Sequence, residues 1–153
     1  MIEVEVEAEY WTDAVDDVEG VVERAAVAAL GPQAGGVVIL LTDDETVRDL
    51  NDRFRGKDRP TNVLSFPAAG MPGIEGAPPL GDIVLAYGVC AREADEQSKP
   101  LRNHLAHLVV HGVLHLLGRD HEVDADAEAM EGEERVILAS LGVSDPYTLP
   151  HDG

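Results

Sequence analysis

Five of the six histidines lie between His104 and His121, and His107, His111 and His115 follow one another at intervals of four. Residues four apart share a face only in a helix, one turn above the next, so this spacing predicts a helix over Leu101 to Leu117 with its imidazoles in one stripe. His104 lies close to the same stripe. Gly118 stands where a helix commonly ends in a left-handed residue. A return of the chain there lets His121 face His111 and His115.

A single helical histidine is more often structural than a ligand, and two at this spacing are a weak sign of metal. The continuation is more specific. His111-x3-His115-x2-Gly118-x2-His121 has the spacing of the zinc helix of the metzincin proteases. Three imidazoles from a helix and its return loop can take three corners of a tetrahedron and leave the fourth open to water, the mark of a catalytic rather than a structural zinc. One Zn2+ per chain is therefore expected, and such a zinc lowers the pKa of its water to about 7. Cys90 is the only cysteine, which excludes both a thiolate-rich site and an intrachain disulfide. It is expected to be a small buried or half-buried residue in a reducing compartment.

The departure from the protease motif is equally informative. Metzincins place a glutamate, the general base, directly after the first histidine, and here that residue is Gly112, which cannot take a proton. Helix propensity alone predicts that the fold would tolerate Gly112→Glu. Asp120 could orient a ligand histidine by accepting its second N–H, or could assist the metal-bound water. His107 could be a fourth ligand, a group behind the ligands, or a packed helix residue.

The rest of the chain reads as one domain over residues 1–153, with enough apolar residues to bury a core without staples. Ile2, Val4 and Val6 alternate with Glu3, Glu5 and Glu7, the period of a half-buried strand. Apolar residues from Val15 to Ala29 mark a helix over Asp13 to Leu30, ended by Gly31-Pro32. Val37 to Leu41 reads as a central strand covered on both faces. Thr42-Asp43-Asp44-Glu45 has capping-box spacing and predicts a helix to about Phe54. Asn62 to Phe66 is a short strand, Pro67 to Gly81 a long irregular loop, and Ile83 to Tyr87 another strand. Helices are predicted over Val89 to Ser98 and Asp124 to Leu141. The expected fold is α+β (mixed α/β): about four strands in a mixed sheet with five to six helices.

A formal charge of −19 argues against a partner made of phosphates. The balance reverses only between Arg48 and Arg59, where Arg48, Arg53, Arg55, Lys57 and Arg59 outnumber Asp49, Asp52 and Asp58. The acidic runs at Glu3 to Glu23 and Glu122 to Glu134 read as solvated faces. With no basic-then-apolar N-terminal segment and no run of about 18 apolar residues, a cytoplasmic protein with no membrane contact is expected.

The segments Phe54-Arg55-Gly56-Lys57-Asp58, Pro60-Thr61-Asn62-Val63-Leu64-Ser65-Phe66-Pro67, Gly81-Asp82-Ile83 and His107 through His121, in that order between Val37 and Tyr147, resemble the YbeY family of bacterial single-strand-specific endoribonucleases. The resemblance implies a zinc site at His111, His115 and His121, a functional arginine at Arg55, and single-stranded RNA as substrate. It further implies a role in 16S ribosomal RNA 3′-end maturation and 70S ribosome quality control, with the small ribosomal subunit and its proteins as partners. Arg55 and Asp120 are thus the candidate catalytic residues. Two rivals stand beside this reading: a zinc peptidase, against which the missing glutamate counts, and an assembly factor in which zinc only shapes a docking surface.

Overall fold

Strands and helices alternate at first and then give way to helices alone. The computed structural model describes residues 2–31, 36–67, 79–117 and 124–143. Strand β1 (Ile2–Val6) leads to helices α1 (Tyr10–Ala14) and α2 (Val18–Leu30), then β2 (Gly36–Thr42), α3 (Asp44–Arg55), β3 (Val63–Pro67), β4 (Pro79–Ala86), α4 (Tyr87–Glu96), α5 (Leu101–Leu116) and α6 (Asp124–Ser140). The sheet order is β1-β2-β4-β3, with β1, β2 and β4 parallel and β3 antiparallel at one edge. This is the expected four-stranded mixed sheet with helices.

Side chains at period two build the main core: Val37, Ile39 and Leu41 of β2 and Ile83 and Leu85 of β4 face α2 and α5. On the opposite face, Leu64, Val84 and Ala86 meet Val47 of α3. Val38 and Leu40 are only half-buried there, so β2 is fully covered on one face rather than two. A single amphipathic α3 cannot span that side of the sheet.

Three differences from the sequence reading change the packing. The helix expected over Asp13 to Leu30 is two helices, because Val15 is extended and Asp17 is left-handed at φ 53°. The break frees α1 to insert Trp11, fully buried, whose indole N–H donates to the Thr42 carbonyl at 2.9 Å. The cap of α3 is Asp43, whose carboxylate accepts from the Thr46 amide at 2.8 Å; Thr42, the first residue of the presumed capping box, is the last of β2.

The third difference is that β4 begins at Pro79 rather than near Ile83. The expected loop over Pro67 to Gly81 therefore ends in a strand, and residues 68–78 lie outside the described residues. Gly81 has φ 147°, and a Cβ there would fall on the Phe66 carbonyl oxygen and lie 2.8 Å from the Leu116 side chain. Glycine thus lets β4, the end of β3 and the end of α5 come together.

Candidate active site

The histidine stripe predicted from the spacing is present on α5. Rings of His104 and His107 are 6.3 Å apart, those of His107 and His111 6.3 Å, and those of His111 and His115 4.5 Å. The last pair brings Nε2 of His111 within 3.0 Å of Nε2 of His115. Behind it, Nδ1 of His111 is 2.8 Å from Oε2 of Glu134 on α6, and Nε2 of His107 is 3.5 Å from Oε1 of the same carboxylate. A carboxylate accepts, so Nδ1 of His111 is the donor to Glu134, and in the neutral ring this leaves Nε2 as the acceptor toward His115.

Two imidazole nitrogens bound to one tetrahedral zinc at about 2.0–2.1 Å would lie about 3.3 Å apart, close to the spacing here. The carboxylate behind His111 is the usual companion of a metal-ligating imidazole, fixing its tautomer and raising its basicity. The donor chemistry of His111 and His115 therefore fits a zinc ion. Among the described residues no third ligand joins them. His121 lies outside the described residues, as do Gly118 and Asp120.

Glu134 was not identified from the sequence, where the acids to Glu134 read as a solvated face. It is instead fully buried. A signal was available: Met130 and Leu138, also buried, stand four residues on either side of it, so Glu134 lies on the inward stripe of α6. His107, whose role was open, interacts with that carboxylate and rests against its two histidine neighbours.

Gly112 is a packing position. A Cβ there would meet the Ile83 side chain at 3.0, 3.2 and 3.3 Å, and Ile83 is itself fully buried. The expectation that the fold would tolerate Gly112→Glu is corrected by this: helix propensity favours glutamate by several tenths of a kcal/mol, less than the usual penalty of about 1–3 kcal/mol for overpacking a core.

Arg55 is the last residue of α3 and reaches the edge strand. Its Nη2 donates to the Ser65 carbonyl at 2.9 Å, and its guanidinium lies 5.7 Å from the centre of the Phe66 ring. Arg48 and Arg53 pair with Asp58 and Asp49, whereas none of the ion pairs among the described residues includes Arg55. The strand that holds it also packs against α5: Asn62 and Val63 share a groove with His104, His107 and His111, and at the strand's other end Pro67 and Gly81 lie beside Leu116. Cys90 is buried as expected, and burial pushes its thiol pKa far up, which removes it as a nucleophile.

Imidazoles presented by a helix, with a carboxylate behind them and an arginine from the end of α3 anchored on the edge strand β3, put the chain among α+β hydrolases. Residues 3–142 match the family model described as Endoribonuclease YbeY, and the chain belongs to this family of nucleases. A protein named Endoribonuclease YbeY from Rhodopseudomonas palustris is 52% identical over 95% of this chain and 80% of its own length. Another of that name, from Azorhizobium caulinodans, is 50% identical over 99% of both. The solution structure of TM1509 from Thermotoga maritima shares the fold with a TM-score of 0.56 at 25% identity, over 97% of this chain and 99% of that one. Among the described residues, no helix is long and apolar enough to cross a membrane.

Proposed function

We propose that this protein is a zinc-dependent endoribonuclease that cleaves single-stranded RNA, acting in the 3′-end maturation of 16S ribosomal RNA and in 70S ribosome quality control. The reading rests above all on the 3.0 Å approach of the His111 and His115 nitrogens in front of the buried Glu134 carboxylate, in a chain whose relatives are named as endoribonucleases. His111, His115 and His121 would hold one zinc per chain. When bound, it supplies Lewis acidity and a water acidic enough to ionise near neutral pH.

The chain's own groups do the rest. Glu134 holds His111 in one tautomer and one orientation. Arg55, anchored on Ser65, offers N–H donors to the oxygens of a phosphate brought along the edge of β3 and offsets the charge that builds there as the phosphodiester is attacked. Asp120 would orient His121. A single strand suits a protein of net charge −19 with one basic loop better than a duplex does, because its charge is less dense. The small ribosomal subunit and its proteins are the partners this role implies.

A peptidase would need a general base beside the first histidine. Gly112 has no room even for a methyl group without displacing Ile83, which counts against that rival. The deciding experiment combines metal analysis with cleavage of a 16S 3′-end precursor. The wild type should carry about one zinc per chain and cut the single-stranded precursor; His115→Ala should lose both properties. Full zinc and full cleavage in that variant would refute the ligand set, and a metal-free protein that still rescued ribosome assembly would favour the docking-surface rival.

A further inference from the structure

Beside the imidazole stripe, a groove of about 400 Å3 opens between the start of β3, the end of α4 and the middle of α5. It shares His107 and His111 with the candidate active site, so it lies within reach of a nucleotide next to a phosphate held there. The volume is that of a small-ligand site. Val63 and Leu108 supply apolar lining, while Asn62, Glu93 and Lys99 supply polar groups.

The polar groups are organised around Glu93. Its Oε1 accepts from Nε2 of His104 at 2.9 Å and from the Asn62 amide at 3.0 Å, whereas among the described residues Oε2 has only a 3.4 Å contact with that amide. His104 is buried, and burial lowers its pKa, which keeps it a neutral donor from Nε2. The Glu93 side chain remains 31% exposed. One oxygen is thus saturated and the other retains acceptor capacity, on a side chain that lines the groove and cannot swing away without breaking two hydrogen bonds.

We propose that this groove is a subsite for the nucleobase next to the scissile phosphate, and that Glu93 there reads the pairing edge of guanine. The proposal rests on the RNA-cleaving reading above. Among the four bases only guanine places two N–H donors side by side on that edge, and both can converge on one carboxylate oxygen such as Oε2 of Glu93. Exposed base edges are how single-stranded RNA is read, and apolar side chains such as Val63 and Leu108 can cover the base faces.

The test is kcat/KM on short single-stranded RNAs identical except at the two positions flanking the cleaved bond, each carrying guanine, adenine, cytosine, uracil or hypoxanthine. Hypoxanthine keeps every guanine group except the 2-amino donor. At one of the two positions the wild type should favour guanine over hypoxanthine by about tenfold, the scale of one hydrogen bond to a charged acceptor. In Glu93→Gln that ratio should fall to about one. Equal wild-type rates for guanine and hypoxanthine at both positions would overturn the subsite while leaving the nuclease reading intact, as would a ratio that survives in Glu93→Gln. If the zinc-loaded wild type cuts none of these RNAs, the nuclease reading fails first. Binding of guanosine and inosine 5′-monophosphates, measured by NMR shifts of the groove residues, then decides the subsite by itself: tighter guanosine binding supports it and equal binding refutes it.

Discussion

Oε2 of Glu134 lies 2.8 Å from Nδ1 of His111, joining a fully buried carboxylate on α6 to the first histidine of the motif on α5. A buried carboxylate is costly unless its oxygens are satisfied, so the pair couples the packing of two helices to the orientation of one imidazole. Glu134→Gln keeps the shape but loses the charge. It should lower zinc affinity by about 10- to 100-fold, read by competition with a chromophoric chelator. Unaltered affinity would show that Glu134 serves packing alone.

Arg55→Ala should leave zinc content unchanged and reduce RNA cleavage by about a hundredfold, the order for removing one donor that stabilises developing charge. Its lost hydrogen bond to Ser65 is exposed and should cost no more than about 1 kcal/mol of stability. Arg55→Lys should recover only part of the rate, since an ammonium cannot present the two-pronged geometry of a guanidinium. Cleavage at the wild-type rate in the alanine variant would take Arg55 out of the site.

Gly112→Ala adds the Cβ that would stand 3.0 Å from Cδ1 of Ile83. Alanine's better helix propensity, about 1 kcal/mol, works against an overpacking penalty of about 1–3 kcal/mol, so a net loss of stability is expected. Ile83→Val removes the nearest methyl. In a double-mutant cycle followed by thermal unfolding, the two changes together should be less destabilising than their sum. Simple additivity would mean the helix and strand separate without strain.

His104 gives a pH dependence with a definite sign. Burial lowers its pKa below the ordinary 6.5 by more than the Glu93 hydrogen bond and charge raise it. The unfolded chain therefore takes up the proton at a higher pH than the folded one, so the stabilising contribution is present above pH 6.5 and is lost as the pH falls through the folded-state value. His104→Gln cannot titrate. Its melting temperature should fall less steeply than that of the wild type between about pH 7 and about pH 5; parallel slopes would assign the loss to other groups.

Local periodicity determined much of this protein. The four-residue histidine interval yielded α5 and its stripe, and the alternation in Ile2 to Val6 and the apolar run in β2 marked two strands. The cap at Asp43 could be placed to within a residue, because caps depend on neighbours in sequence. What the tertiary structure alone decided are relations between segments far apart. Glu134 looked like one more acid in a solvated run until α6 laid it against His111, and Gly112 looked like an open helix position until β4 put Ile83 against it. Likewise His104, Glu93 and Asn62 come from three elements and form a cluster only when α4, α5 and β3 meet. Patterns of two and four report which face a residue takes on its own element. Which side chain it then meets depends on how elements pack, and no interval within one segment carries that distance.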